Sequence, residues 1–157
     1  MEKELINTFG KMTHGIYVLT SYYRQEINGM IASWVSQVSY DPPMIMVAIH
    51  PNRYSHHLIK KVGYFTLHVL AKNQIDLLDR FKGPDPLAKF DNIQWTRGKT
   101  GCPVLNDCVA YMECEVKTSY RPGNHTLFIG KVRYAEVISK GDPLCTSDLA
   151  GVYLGKD

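Results

Sequence analysis

The stretch Asn28–Ile49, NGMIASWVSQVSYDPPMIMVAI, decides how this chain of 157 residues is read. Gly29 opens a strand that runs into small and hydroxyl-bearing residues, Ala32, Ser33, Ser36 and Ser39. Asp41-Pro42-Pro43 then ends the pairing, because proline has no N–H to give to a ladder. The unbroken apolar run Met44–Ile49 follows and reads as a central strand covered on both faces. Small side chains let a flat ligand lie against backbone, and hydroxyls with free amides can hold a phosphate.

Composition removes most other readings. A net charge of +3, with no run of four basic residues, argues against a nucleic-acid partner. An apolar fraction of 45% and a charged fraction of 21% are ordinary for a globular protein. The length suits a single domain, 1–157, able to bury a core. Met1–Glu4 is charged and no apolar segment of signal-peptide type follows, so no secretory leader is expected. The longest apolar run is six residues, against the ~20 of a membrane helix, so no membrane partner is expected. Cys102, Cys108, Cys114 and Cys145, spaced by six, six and thirty-one, match no zinc or iron–sulfur pattern. No metal site is expected, and reduced thiols fit a cytoplasmic location.

Periodicity supplies the elements around the opening stretch. Residues 2–9 have helical spacing and stop at Gly10. Gly15–Tyr22 reads as a strand apolar on both faces (Ile16 and Val18 against Tyr17 and Leu19), more than one small core needs, which points to an interface. Pro51-Asn52 opens a short helix with Tyr54, Leu58 and Val62 on one face. Phe65, Leu67 and Val69 alternate with Thr66 and His68, the pattern of a half-buried strand. Asn73 caps a helix that turns Ile75, Leu78 and Phe81 inward. Residues 83–107, rich in proline and glycine, read as one long loop region of the kind that serves a site or an interface. Alternation over Ala110–Val116 and the run Thr126–Val137 predict two paired strands. Many strands, few helices and no regular βαβ alternation predict a mainly all-β, antiparallel barrel.

Neither a G-x-G-x-x-G nor a G-x-x-x-x-G-K-[ST] loop is present, so a bound nucleotide must be held another way. Asn52, Arg53 and Ser55 stand at a helix start, where free N–H groups and the helix dipole favour an anion; Arg53 adds charge-assisted bonds. An N-cap with a solvated arginine is the plainer alternative. In an unbroken strand Ser33 and Ser39 face away from Ser36, so these serines either line a site around a bulge or are solvated hydroxyls on a barrel edge. The pair His56-His57 points about a third of a turn apart and makes a poor metal site. Gly123-Asn124-His125 sets a histidine at the mouth of a long strand, open between contact with a ring, a nicotinamide or substrate, and capping of its own turn. No hydrolase arrangement stands out, so the chemistry falls to a bound cofactor. The layout suits flavin mononucleotide (FMN) better than a metal, a nucleic acid or a dinucleotide fold.

From about Thr13 to Val137 the chain resembles the flavin reductase-like family of FMN-binding split barrels. The resemblance lies in Gly15-x-x-x-Leu19-Thr20, Gly29-Met30-x-Ala32-Ser33, Ser36-x-x-Ser39-x-Asp41-Pro42-Pro43, Lys89-Phe90, Pro103-x-Leu105 and Gly123-x-His125-x-Leu127-x-x-Gly130-x-Val132. Ala32–Gln37 and Gly101-Cys102-Pro103 are similar to the flavin reductase module of diflavin flavodiiron proteins. The resemblance implies a six-stranded antiparallel Greek-key split barrel with a few short peripheral helices. It also implies a homodimer with FMN near the subunit interface. Electrons would pass from NADH or NADPH through FMN to free flavin, a ferric complex or a redox partner protein.

By matching position, the resemblance lines the ring and ribityl chain with Met30, Ile31, Ala32, Ser33, Trp34, Val35 and Ser36. It brings His50, Asn52, Arg53 and Ser55 to the ribityl or phosphate end. Lys89, Phe90 and His125 approach the ring, with His125 in the catalytic role of orienting donor or acceptor. Two positions depart from the family: Ile31 where many members carry threonine, and Asn124 where an aspartate commonly precedes the histidine. The second departure favours an alternative, a non-enzymatic electron-transfer module serving a redox protein such as a rubredoxin.

Overall fold

The computed structural model describes residues 1–150. Helix α1 (Glu2–Phe9) ends at Gly10, and β1 (Tyr17–Tyr23) then turns back into β2 (Glu26–Ala32). Arg24 takes a left-handed φ of 56° in that turn. At Ser33-Trp34 the extended chain breaks, and it resumes as β3 (Val35–Ser39). A turn through the cis Asp41-Pro42 bond leads to β4 (Met44–Ile49) and then α2 (Tyr54–Val62). Gly63, with φ 76°, ends α2 in the left-handed conformation that glycine adopts freely. β5 (Tyr64–Val69), α3 (Leu77–Lys82), the short ribbon β6 (Trp95–Arg97) and β7 (Pro103–Leu105), then β8 (Ala110–Tyr120) and β9 (Thr126–Val137) complete the order.

One seven-stranded sheet runs β2-β1-β5-β8-β9-β4-β3, every ladder antiparallel. Its two edges, β2 and β3, are successive pieces of the same chain. The sheet therefore curls until its edges meet at Ser33-Trp34, where the Ala48 N–H donates to the Trp34 carbonyl at 2.9 Å. With β2 and β3 taken as one interrupted strand, this is the six-stranded split barrel that the family resemblance implies.

Two cores lie on opposite faces of β1. Inside the barrel Leu19 packs with Val47, Ile49, Phe65, Leu67 and Phe128. Outside it Ile16 and Val18 pack with Leu78, Phe81, Phe90 and Leu105, from α3, a 3₁₀ turn at Ala88–Phe90 and the β6–β7 ribbon. The double-faced apolar character of β1 is thus taken up within one chain, and the interface inferred from it loses that support.

The same second layer explains other departures. Thr66 and His68 of β5 are fully buried, because the ribbon covers the face that alternation assigned to solvent. Residues 83–107 hold that ribbon instead of one loop. Asn73 lies inside a 3₁₀ turn, and Gln74 does the capping: its Oε1 accepts from the Ala71 N–H and its Nε2 donates to the Asp107 carbonyl, both at 2.9 Å. Ile75 is exposed. α2 buries Ser55, Leu58 and Ile59; of the expected face only Leu58 is fully buried, Tyr54 being exposed and Val62 half-buried. Gly29 sits mid-strand, where a Cβ would come within 2.5 Å of the Phe81 ring, so it is there for close approach of α3. β4 lies one strand from the sheet edge: Ile45, Val47 and Ile49 are buried, whereas Met44, Met46 and Ala48 are half-buried.

Candidate functional site at the split of the barrel

Where the wall breaks at Ser33-Trp34, a cavity of about 710 Å³ opens. That volume falls in the ~300–1,000 Å³ of small-molecule sites. Ala32 and Ala48, from strands on either side of the split, keep one wall low, and Met30 and Ile31 continue it. Three aromatic rings of the lining stand together. His125 lies 4.7 Å from Trp34, tilted by 51°, and 5.2 Å from His50, edge-on, centroid to centroid.

His125 is held by its neighbour. Its Nδ1 lies 2.7 Å from Asn124 Oδ1, an acceptor, so Nδ1 carries the proton of the neutral ring and Nε2 is left as an acceptor. Burial, then the nearby His50 and Arg53, lowers its pKa below the usual histidine range. The amide oxygen of Asn124 thus meets the ring at the position where the resemblance expects an aspartate, without its charge.

Three cations line the cavity as well: Arg53 as N-cap of α2, Lys82 at the end of α3, and Lys89, with no aspartate or glutamate in the lining. Lys89 is only 8% exposed. Its Nζ donates to Asn28 Oδ1 at 3.0 Å and to the Gly29 carbonyl at 2.8 Å. Asn28 Nδ2 in turn donates to Ser55 Oγ at 2.9 Å. This buried chain joins the 3₁₀ turn, β2 and the first turn of α2. Burial, then Arg53, lowers the Lys89 pKa.

The structure brings most of the predicted site residues to this one cavity: Met30 through Trp34, His50, Asn52, Arg53, Lys89 and His125 line it. Four lie elsewhere. Val35 begins β3 and packs against the barrel core. Ser36 points to solvent, its hydroxyl on the Gln37 carbonyl at 3.1 Å. Ser55 is fully buried beneath the cavity on Asn28. Phe90 belongs to the second core, edge-on to Phe81 and Trp95. Sequence reasoning missed Asn28, Ala48, Tyr54, Phe81 and the segment Lys82-Gly83-Pro84. Ala48, the smallest residue of the Met44–Ile49 run, and the Gly-Pro stop after α3 were the available signals. Among the described residues no group of three or more side chains is placed to hold a metal ion, and no helix is long and apolar enough to cross a membrane.

A split antiparallel barrel with a cavity lined by small residues, aromatic rings and cations has the architecture of the flavin-handling split barrels. The chain belongs to the flavin reductase-like family: residues 9–150 match the flavin reductase like domain. It is 32% identical to the high molecular weight rubredoxin of Moorella thermoacetica, over 85% of this chain and 60% of that protein. It is 30% identical to the ferric-chelate reductase (NAD(P)H) of Archaeoglobus fulgidus, over 96% of this chain and 92% of that protein. Among solved structures, the NADH:FAD oxidoreductase SgcE6 of Streptomyces globisporus, in complex with NAD and FAD fragments, superposes with a TM-score of 0.84 at 26% identity. That match covers 92% of this chain and 87% of the other.

Proposed function

We propose that this chain binds FMN in the cavity at the split and uses it to carry electrons from NADH or NADPH to a second acceptor, a free flavin or a ferric complex. By family the chain is an oxidoreductase, an NAD(P)H-dependent flavin reductase. The observation that carries the site assignment is the lining itself: two alanines at the break, aromatic rings, three cations and no carboxylate. A flat ring with an anionic tail fits that donor set; a cation does not. When bound, FMN supplies the redox chemistry, accepting electrons in a pair and releasing them singly or in pairs.

The protein's own work is positioning and charge. Arg53 and the free N–H groups opening α2 hold the phosphate. Main-chain donors along Met30–Trp34 hold the ring and its tail. Trp34 shields the opening, and His125, neutral at pH 7, offers Nε2 to orient the incoming nicotinamide or acceptor. Addition of NADH or NADPH without oxygen to FMN-loaded protein is expected to bleach the visible flavin bands. Unchanged absorbance with both nicotinamides would overturn the reductase assignment.

Likeness to the Moorella rubredoxin, of whose length the chain spans 60%, favours a second reading: electron exchange with a small redox protein. In that case the flavin stays oxidised with NADH and is reduced by the reduced partner protein. We also propose a homodimer. Met44 and Met46 of β4 pair across the ladder with Lys131 and Ile129 of β9, and Ala48 with Leu127. Ile129 and Leu127 pair in turn with Thr118 and Tyr120 of β8. Paired residues share a face, so Met44, Met46, Ile129, Leu127 and Tyr120 form an apolar stripe on the outer side of the barrel. In one chain Tyr120 is exposed and Met44, Met46, Leu127 and Ile129 are half-buried, and the stripe runs up to the cavity wall at Ala48. Free cysteines among the described residues support a cytoplasmic location; burial pushes the Cys102 thiol up to about 12 and that of Cys108 to about 11.

A further inference from the structure

Positive charge runs on from the cavity along the outer face of α2. His57, Lys60 and Lys61 are exposed there, His56 is half-buried beside them, and Arg53 stands at the cavity end. The hairpin between β8 and β9 brings Arg121 to the same place: Lys60, Arg121, His50 and His57 all lie close enough to His56 to oppose a charge on it. A contact of 2.8 Å between His56 Nε2 and Thr126 Oγ1 fastens α2 to the root of that hairpin. Arg121 donates from Nε to the Gly123 carbonyl at 3.3 Å, which holds it in the turn.

Both segments lack carboxylates. None occurs between Asp41 and Asp76, nor between Glu115 and Glu136. Glu26 of β2 reaches the first turn of α2, where it accepts from the Tyr54 hydroxyl. Among the described residues no ion pair includes Arg53, Lys60, Lys61 or Arg121. The helix dipole accounts for Lys60 and Lys61, which lie in the last turn of α2. It does not account for Arg121, which comes from another element and adds like charge to the same field. Lys61 stands ~12 Å along the helix from Arg53, and neither it, Lys60 nor Arg121 lines the cavity. A small anion in the cavity therefore leaves these three unmet, whereas the face of a second macromolecule spans them.

We propose that the outer face of α2 and the tip of the β8–β9 hairpin form the docking surface for a small acidic redox protein. Asn52, Arg53, Asn124 and His125 belong both to the edge of this surface and to the cavity lining, so a partner seated there lies beside the flavin site. Opposite charge on the two faces steers the encounter, and a contact this small lets the partner leave again. The inference rests on the second reading above, electron exchange with a small redox protein.

Calorimetric titration of FMN-loaded protein with an oxidised rubredoxin of strongly negative net charge tests it. Wild-type protein is expected to bind at low salt and to lose about tenfold in affinity between about 0.01 and 0.1 M salt, as the Debye length falls from ~30 to ~10 Å. The double variant Lys60→Glu, Lys61→Glu and the single variant Arg121→Glu change two different elements. Each is expected to weaken binding about tenfold at low salt. Lys140→Glu, a like change of charge past the far end of β9, is expected to leave binding unchanged. All three are expected to keep the wild-type affinity for FMN. A loss in Lys140→Glu equal to that in Arg121→Glu would reduce the effect to net charge and overturn the inference. So would binding that ignores salt, or equal binding of a basic cytochrome c. Duplex DNA that binds more tightly than rubredoxin, and is lost in the same variants, would give the surface to nucleic acid instead. Where binding is as expected but two equivalents of reduced rubredoxin, one electron each, do not bleach the FMN, the electron-exchange reading falls and the docking surface stands.

Discussion

Arg53 and Asn28 show the two ways a single side chain serves this site. Arg53 was legible in sequence, because a polar residue just past a long apolar strand and before a helical pattern marks a helix start. It lines the cavity as the N-cap of α2. Hydrogen bonds to charged groups contribute ~1.5–3 kcal/mol, so Arg53→Ala should weaken FMN binding about ten- to hundredfold, measured by fluorescence titration. Asn28 was not legible, since its role is met only when β2, α2 and the Ala88–Phe90 turn converge. It accepts from Lys89 and donates to Ser55, all three residues being buried. Asn28→Ala leaves the Lys89 ammonium and the Ser55 hydroxyl short of partners. Each buried unmet group costs ~1–3 kcal/mol, so a loss of about 2–4 kcal/mol in urea unfolding is expected, with weaker flavin binding alongside. The serines teach the same lesson from the other side. Three hydroxyls at intervals of three are one motif on paper, yet the break at Ser33-Trp34 sends Ser33 into the cavity and Ser36 to solvent.

The β6–β7 ribbon is held to the barrel by polar groups that alternation alone would have put in water. Thr20 Oγ1 donates to the Pro103 carbonyl at 2.5 Å. Glu113, buried on β8, accepts from the Lys99 and Thr100 N–H groups at 3.2 and 2.7 Å and from the Thr100 hydroxyl at 2.6 Å. His68 accepts the Leu105 N–H at Nε2 (3.1 Å) and donates from Nδ1 to the Val18 carbonyl (2.9 Å), which fixes it as neutral. Burial lowers its pKa to about 4. Between an unfolded value of ~6.5 and about 4, the unfolded chain takes up a proton that the folded chain refuses. Stability attributable to His68 is therefore whole above that window and falls as pH drops through it, by ~3 kcal/mol in all. Hydrogen exchange at pH 5 should show the amides of residues 95–105 losing protection ahead of the β8–β9 ladder, and His68→Gln should flatten the dependence. Equal loss across the sheet would count against this clamp. β9 was legible to its ends because its neighbours on both sides are strands of the same sheet. β5 was misread because a second layer, invisible in a period-two pattern, lies over it.

At the scale of the whole molecule the sheet's topology makes the site. The barrel closes through a chain break rather than a ladder, so backbone at Ser33-Trp34 is free to meet a ligand, and the fold class followed from strand count and the absence of βαβ alternation. Which surface meets a second copy was not legible, because β1 seemed the candidate strand while its two faces feed two cores of the same chain. For the proposed homodimer, the register of β4, β9 and β8 offers instead the stripe through Met44, Met46, Ile129, Leu127 and Tyr120. Met46 is only half-buried in one chain, so a charge there costs the monomer little, whereas inside an apolar interface it is left unpaired at a cost of several kcal/mol. Met46→Lys is expected to sediment as a monomer at micromolar concentration where the wild type sediments as a dimer, with its far-UV circular dichroism unchanged. Because Ala48 carries the same face into the cavity wall, the monomeric variant should also bind FMN more weakly. A variant that stays dimeric, or a wild type that is monomeric at tens of micromolar, would remove the stripe as the interface and with it the coupling between assembly and flavin affinity.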